Sequence, residues 1–352
     1  MAVGAARQEK EPATTDVVEV APNVIRMQLP IQFTGLGHVN MYGLLDDRGL
    51  AVVDPGMPGR SSWVAIEDRL RRGGFKLRDI HTVIVTHSHP DHFGGAQRIA
   101  DETGARLVAH ADFTVPWQTP MPDVIDLDGD PDADDGDPAA GSREVPRPFG
   151  IRPPLKVRLM ILAGKIAGGR FIRPPKPTVR LAHGEPITLA GREWQAVHTP
   201  GHTADHLCLH DLENGILLVG DHVLPTITPH IGGYGAGHDP LEQYLSALDH
   251  VAGLTDVTLA LPAHGHPFQD VAARTEAIKE HHQERLQHLV EVGAALGPSS
   301  VRTFSEHLFA KRNWGMMATS ETYAHLEHLR QANRARRFLR GGDLVYALEA
   351  EG

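Results

Sequence analysis

Three histidines and one aspartate lie within six consecutive positions, and these residue types at this spacing could bind a metal ion. His87, His89, Asp91 and His92 directly follow the apolar, β-branched run 82–85. Neutral imidazole and ionised carboxylate are good ligands for borderline divalent cations such as zinc. Because a strand that ends abruptly presents the residues after it at one point, we expect the four side chains to converge.

Four clustered ligands do not complete two metal sites, but the chain offers more donors further along. Three of them follow later strand-like runs: His202 after 194–198, Asp221 after 216–219, and His264 after 257–261. Each candidate has a glycine or proline nearby, just past a strand end, where rigid strands bring side chains to a shared rim. We therefore predict that His202 completes a first ion, that His264 completes a second, and that Asp221 bridges the two.

The ordered set of motifs resembles the metallo-β-lactamase-fold superfamily, and most closely its glyoxalase II-like metallohydrolases. The resemblance covers about residues 17–270, and it includes the upstream Val-Asp-Pro-Gly run at 53–56. It implies an αβ/βα sandwich with two divalent metals at one edge of the sheets. It also implies that all seven candidates above are metal ligands, and that Asp54 orients the site without ligating.

The fold class predicted from the periodicity is α/β, with two strand-rich halves packed face to face and helices outside. The predicted strands are 17–20, 24–27, 40–45, 50–53, 82–85, 106–109, 178–181, 187–189, 194–198, 206–209, 216–219 and 257–261. Helical spacing covers 61–73, 94–103 and 239–251. Short β-branched runs that alternate with glycine-rich turns and helical segments are typical of this class.

The order breaks in an insertion at about 112–177. Its acidic part, 123–137, holds eight aspartates and reads as a solvated loop, since proline stands where a calcium loop counted from Asp126 needs glycine. Its basic part, 152–176, encloses an apolar core. That core is either a short helix over the mouth of the site or an insertion packed on the surface. No readable motif here indicates the substrate.

After residue 270 the chain becomes helical, over 271–296, 301–310 and 321–340, with a short strand or wing at 343–348. This pattern predicts a C-terminal winged-helix-like domain. The segment from 311 to 340 contains six Arg and one Lys but only two Glu, which gives it a net charge of +5. Such a basic helix could bind the phosphates of single-stranded RNA, or dock on an acidic neighbour, or face solvent.

Three segments are thus predicted: a disordered tail at 1–16, a catalytic domain at 17–270 and the helical domain at 271–352. The net charge of −10 argues against a chain that coats nucleic acid over its whole surface. The single cysteine, Cys208, excludes an internal disulfide framework and fits a packing thiol in a reducing cytoplasm. We found no secretory signal and no membrane-spanning run. The oligomeric state stays open, with a dimer among the alternatives.

These features predict a dinuclear zinc hydrolase that uses a metal-bridging hydroxide, aimed by Asp91, on an ester, thioester or lactone of a small-molecule substrate. Iron and manganese are the alternative metals. Competing functions are a metal-dependent endoribonuclease or phosphodiesterase, a mononuclear iron persulfide dioxygenase, and a metal-bound module without catalysis. β-Lactam hydrolysis is chemically feasible, but no secretion signal points to a periplasmic target.

Five other polar residues could take supporting roles. His198 and His206 flank His202 in sequence, and one of them could hydrogen-bond a ligand. His38, His230 and Tyr234 lie in loops that could face the pocket. A packed or surface position is the competing interpretation for each.

Overall fold

The computed structural model describes residues 7–31, 35–115, 124–128, 141–144, 173–233 and 239–349. Most of the predicted insertion, including residues 129–137 of its acidic part and the apolar core of its basic part, lies outside the described residues, as do Tyr234 and residues 1–6. The prediction of a loop is wrong for residues 124–127, which form a strand. By internal contacts the chain forms two compact units. The first contains residues 1–119, 159–229 and 247–276, and the second contains 120–158, 230–246 and 277–352.

Seven strands form the first sheet of the first unit. They are β1 (Val17–Ala21), β2 (Val24–Pro30), β3 (His38–Asp46), β4 (Gly49–Val53), β5 (Ile80–Ile84), β6 (Arg106–His110) and β9 (Val179–Leu181), paired in this order. Strands β1 to β4 pair antiparallel, whereas β4, β5, β6 and β9 pair parallel. The carboxyl ends of β4 and β5 therefore lie at the same edge of the sheet. Asp54 follows β4 there, and the segment from His87 to His92 follows β5.

Five strands form the second sheet. They are β10 (Pro186–Leu189), β11 (Arg192–His198), β12 (Leu207–Asp211), β13 (Ile216–Gly220) and β14 (Leu259–Pro262), again in this order. The sheet is antiparallel except for the parallel pair of β13 and β14. This last pairing places Asp221 and His264 just past the ends of adjacent strands.

The two sheets pack face to face through an apolar core. Tyr42, Val53 and Ile84 of the first sheet belong to one buried cluster with Trp194 and Leu218 of the second. Trp194 is fully buried, and truncation of such a core indole typically costs about 3–5 kcal/mol. On its other face the first sheet packs against helices α1 (Arg60–Arg72) and α3 (Ala96–Thr103), between which the short α2 (Pro90–Phe93) carries two of the site residues. The predicted αβ sandwich is confirmed.

The second unit combines helices with small sheets. Helices α4 (Pro240–Ala252) and α5 (Val271–Leu296) each have residues in both units, whereas α6 (Val301–Leu308) and α7 (Met316–Gln331) belong wholly to the second. Strands β15 (Ser299–Ser300), β17 (Asp343–Leu348) and β16 (Ala335–Arg340) pair in this order, and β7 (Val124–Leu127) pairs with β8 (Gly141–Glu144). No helix among the described residues is long and apolar enough to cross a membrane.

Two sequence-based predictions were wrong in this part of the chain. The helix predicted over 321–340 ends at Gln331, because Asn333 adopts a left-handed backbone with φ of 57° and the following residues pair with β17 as β16. The disordered tail predicted for 1–16 is wrong for residues 7–16, where a 3-10 turn, Gln8–Lys10, makes definite hydrogen bonds. The winged-helix interpretation stays a prediction.

Candidate functional site

One group of side chains that could hold a metal ion consists of His87, His89, His202 and Asp221. Nδ1 of His89 lies 3.0 Å from Nε2 of His87 and 2.9 Å from Nε2 of His202, so three ring nitrogens converge on one point. The Asp221 Oδ2 atom lies 3.9 Å from Nε2 of His87 and 3.5 Å from Nε2 of His202. Three converging imidazoles and one carboxylate match the ligand types and number of a four-coordinate zinc site.

A second group consists of Asp91, His92 and His264. The Asp91 Oδ2 atom lies 3.7 Å from Nε2 of His92 and 3.7 Å from Nε2 of His264. The carboxylate of Asp221 also reaches this group, with Oδ2 at 3.4 Å from Nε2 of His92 and Oδ1 at 3.3 Å from Nε2 of His264. Asp221 therefore lies between the two groups, where a bridging ligand would be.

Buried nitrogen and oxygen atoms without hydrogen-bond partners indicate that a ligand binds between these groups. Within the described residues, Nε2 of His92, Nε2 of His264 and Oδ1 of Asp221 are buried and make no hydrogen bond. A buried polar atom left unpaired costs about 1–3 kcal/mol. Divalent cations would satisfy all three atoms, and the donor set of imidazoles and carboxylates fits zinc, iron or manganese.

The pKa values of His87 and Asp221 are both lowered, which favours the deprotonated forms that can bind a metal ion. Burial, together with the neighbouring imidazoles of His92 and His89, holds the pKa of His87 well below its usual value. Burial alone would raise the pKa of Asp221, but the imidazoles of His264 and His92 outweigh burial and hold that pKa well below its usual range. The first group therefore offers a neutral imidazole at His87 beside an ionised carboxylate at Asp221.

Asp54 fixes the orientation of a histidine in each group. It follows β4 with φ of 53°, and its Oδ1 accepts the backbone N–H of Thr86 at 2.8 Å. Its Oδ2 accepts Nδ1–H of His92 at 2.9 Å and the hydroxyl of Thr86 at 2.7 Å. Since the Thr86 hydroxyl donates to Asp54, it accepts Nδ1–H of His87 at 3.0 Å. Both rings are thereby held with Nε2 as the lone-pair atom.

His206, and not His198, contacts the backbone of a candidate ligand. Its Nε2 accepts the N–H of Asp221 at 3.0 Å, so its Nδ1–H donates to the hydroxyl of Thr199 at 2.7 Å. Gly220 permits this approach: it has φ of 51°, and a Cβ atom there would lie 2.6 Å from Nε2 of His206. His198 instead stacks on His110 at 3.9 Å between ring centroids.

Sequence reasoning missed several residues that hold the loops in place. The hydroxyl of Ser88 donates to the buried Asp205 at 3.0 Å and so ties the loop of His87 and His89 to a segment 117 positions away. Thr86 connects the same two segments, because its carbonyl oxygen accepts the N–H of Leu207 at 2.8 Å. Short polar side chains give no signal of such a role in a single sequence.

The remaining predicted residues take packing or supporting positions. Cys208 is fully buried, and burial raises the pKa of its thiol to about 12, as expected for an unreactive packing residue. His38 is fully buried beside Gly265. In the second unit, Nδ1–H of His230 donates to Glu321 at 3.2 Å.

The basic segment of the second unit is partly neutralised by its own acidic residues. Arg330 and Arg337 both pair with Glu327, at 3.2 Å and 2.7 Å, and Arg336 pairs with Glu349 at 3.5 Å. Because residues 335–340 form a strand, the five arginines between 330 and 340 do not line one helix as predicted. RNA binding by this segment stays an untested prediction.

Comparisons with known proteins agree with this architecture. The family model described as the metallo-beta-lactamase superfamily matches residues 34–264, more than half of the chain. The probable metallo-hydrolase YqjP of Bacillus subtilis is 25% identical over 92% of this chain and 97% of its own. The lactamase-like protein aptB of Emericella nidulans is 26% identical over 80% of this chain and 68% of its own.

Two solved structures extend the likeness to nearly the whole chain. The metallo-beta-lactamase family protein TTHA1429 of Thermus thermophilus superposes with a TM-score of 0.72 at 27% identity, covering 94% of this chain and 100% of its own. A beta-lactamase domain protein of Burkholderia ambifaria gives a TM-score of 0.74 at 25% identity, covering 96% and 95%. With these matches and the two groups of metal-binding side chains, the chain belongs to the metallo-β-lactamase superfamily and is a metal-dependent hydrolase.

Proposed function

We propose that this protein is a dinuclear zinc hydrolase that cleaves a carboxylic ester, thioester or lactone. One observation carries the proposal: the carboxylate of Asp221 lies within 3.9 Å of ring nitrogens from both donor groups. A single carboxylate shared by two sets of buried ligands is the arrangement that a pair of cations requires. His87, His89 and His202 would hold one ion, and Asp91, His92 and His264 would hold the other.

When bound, such a pair of ions supplies Lewis acidity and lowers the pKa of water toward ~7. The chain's own contribution is to hold the imidazole and carboxylate ligands in fixed orientations. Asp91 retains some exposure, with 12% of its side chain accessible, so its carboxylate can accept a hydrogen bond from the attacking water and aim it. No serine or cysteine nucleophile is needed, in agreement with the buried and unreactive Cys208.

Charge supports a small carbonyl substrate over a polyanion. The chain has a net charge of −10, which repels long phosphate backbones at a distance. Hydrolysis of a carbonyl compound needs only one electrophilic carbon at the ions and a stabilised oxyanion. The relative from Bacillus subtilis bears the description of a probable metallo-hydrolase, which agrees with this proposal in reaction class.

The proposal is tested by metal analysis of the purified protein, paired with a panel of thioester, lactone, carboxylic ester, phosphodiester and β-lactam substrates. We expect two metal equivalents and turnover of a carbonyl substrate. His89→Ala or Asp221→Ala should remove at least one equivalent and reduce turnover by more than the roughly 10–100-fold typical of lost supporting contacts. The control, His307→Ala, changes an exposed histidine of α6 and should leave both quantities unchanged. Full activity with full metal content in Asp221→Ala would contradict the proposal.

A further inference from the structure

Three alternate side chains of β3 hold the loop that carries His264. Residues 38, 40 and 42 share one face of this strand, as the two-residue period requires. The side-chain amide of Asn40 donates to the carbonyl oxygens of Pro262 at 2.8 Å and Gly265 at 2.9 Å. The hydroxyl of Tyr42 also donates to Pro262, at 2.8 Å. The loop is thus fixed at both ends by the first sheet.

His38 makes the contacts nearest to His264 itself. Its Nε2 accepts the backbone N–H of Gly265 at 3.1 Å, so its proton lies on Nδ1, which donates to the carbonyl oxygen of Glu11 at 2.7 Å. Its own carbonyl oxygen accepts Nδ1–H of His264 at 2.6 Å. One fully buried residue therefore sets both the tautomer of the His264 ring and the path of the backbone beside it.

The N-terminal strap, Gln8 to Glu11, closes over the same region. The Gln8 side chain accepts the backbone N–H of His266 at 3.1 Å, and Glu11 accepts Nε2–H of the His266 ring at 2.8 Å. Between them the fully buried carboxylate of Glu9 accepts the backbone N–H of Thr226 at 2.7 Å. The strap therefore connects the segment after Asp221 to the segment after His264.

We propose that His38, anchored by the N-terminal strap, is a positioning residue that keeps Nε2 of His264 directed as a lone-pair donor to the second metal ion. This inference rests on the proposed function, since it assigns His38 to one of the two ions. In the structure, Nε2 of His264 faces the carboxylates of Asp91 and Asp221 at 3.7 Å and 3.3 Å. Loss of the His38 contact to Gly265 should therefore weaken the second ion and leave the first intact.

Two conservative variants separate this role from general support of the fold. In His38→Gln, the side-chain oxygen can occupy the place of Nε2 and accept from Gly265, but the contact to Glu11 is lost. In His38→Asn, the side-chain amide can occupy the place of Nδ1 and donate to Glu11, but the contact to Gly265 is lost. A merely structural role would make the two variants equally harmful.

The experiment is a titration of the metal-free protein with Zn²⁺ against a chromophoric chelator. Wild type should bind two equivalents. His38→Asn and His38→Ala should weaken one equivalent by about 10–100-fold, whereas His38→Gln should retain it more closely. The matched control is His81→Ala, which removes a half-buried histidine of β5 that pairs with Asp46 and should bind Zn²⁺ as wild type does.

The outcomes separate this inference from the proposed function. A wild type that binds fewer than two equivalents would overturn the dinuclear proposal and this inference with it. A wild type with two equivalents, and His38→Asn with the same two affinities, would overturn the positioning role alone. So would an equal loss at both equivalents that accompanies a lower melting temperature of the metal-free protein.

A measurement on the unmodified protein covers the case in which the variants do not fold. The ¹⁵N shifts of the imidazole rings of His38 and His264 should report protonated Nδ1 in both residues. A neutral ring that carries its proton on Nε2 alone, at either residue, would overturn the proposal, because the contacts to Glu11 and to the His38 carbonyl oxygen require a proton on Nδ1.

Discussion

Asp54 shows how one carboxylate can organise two ligand groups without belonging to either. Its two oxygens accept hydrogen bonds from His92 and from both donors of Thr86, and Thr86 in turn holds His87. All of these atoms are buried, so solvent cannot replace a lost partner. The orientation of a metal ligand in each group therefore depends on this one residue.

We expect Asp54→Asn to weaken metal binding by about 10–100-fold. The asparagine amide would present N–H groups to Nδ1–H of His92, and the ring would then have to move its proton to the atom that faces the metal. The measurement is the same competition with a chelator. The control is Asp46→Asn, because Asp46 ends β3 and pairs with Arg48 and His81. Unchanged affinity in Asp54→Asn would show that these hydrogen bonds do not set the ring orientation.

The candidate ligands could be predicted from the sequence because their types, order and strand-end positions are all readable there. Among the residues that support them, Asp54 was expected from the resemblance and one of His198 and His206 from its position beside His202, but the others could not be predicted. His38 is one of 23 histidines, and nothing in its neighbourhood indicates that it would meet Gly265, 227 positions away. The sequence around Ser88 and Asp205 does not indicate their hydrogen bond either, because a contact between distant loops exists only in the folded chain.

At the scale of elements, the strands around the site were predicted closely, as were helices α5 and α6 and strand β17, whereas the segment after Gln331 was not. Alternating or continuous β-branched runs identify β4, β5 and β13 directly. The segment 332–340 instead holds arginines with no clear period, and long polar side chains favour a helix in isolation. Pairing with β17 overrides that preference, because Phe338 and Tyr346 become fully buried on the resulting sheet.

An ion-pair cluster stabilises the second unit. Glu321 of α7 accepts hydrogen bonds from Arg285 of α5 and from His230, and its backbone carbonyl accepts Nδ1–H of His325 at 2.7 Å. Burial would raise the pKa of Glu321, but the hydrogen bond from His230 and the charge of Arg285 outweigh it and lower that pKa to about 2. The ionised carboxylate is thus strongly preferred in the folded state.

We expect Glu321→Gln to lower the free energy of unfolding by about 1.5–3 kcal/mol, the range for a hydrogen bond to a charged group. Because the folded pKa lies below the unfolded value of 4.5, the difference from wild type should be full above pH ~4.5 and should shrink as the pH falls toward 2. Urea unfolding of the metal-free protein across this range measures the effect. The control Glu306→Gln removes a surface pair with Arg302 and should change little. A pH-independent difference would contradict this account.

At the scale of the whole molecule, cation binding should affect the two units unequally. The donor groups lie in the first unit, and a ligand at 1,000 times its dissociation constant stabilises the state that binds it by about 4.1 kcal/mol. We expect chelation to speed hydrogen exchange at the amides of Thr86, Asp221 and Gly265. Exchange in the three-stranded sheet of the second unit should not change. Equal acceleration in both units would indicate that the cation supports the whole chain and not the loops that carry its ligands.

The ligand loops leave both sheets of the sandwich: His87 to His92 follow a strand of the first sheet, whereas His202, Asp221 and His264 follow strands of the second. Cations held by both sets would cross-link the two layers, with each link closing a loop of more than a hundred residues. Long closures of this kind restrict the unfolded chain most strongly. This protein has a single cysteine, so the metal pair would then cross-link the fold as disulfides do in secreted proteins.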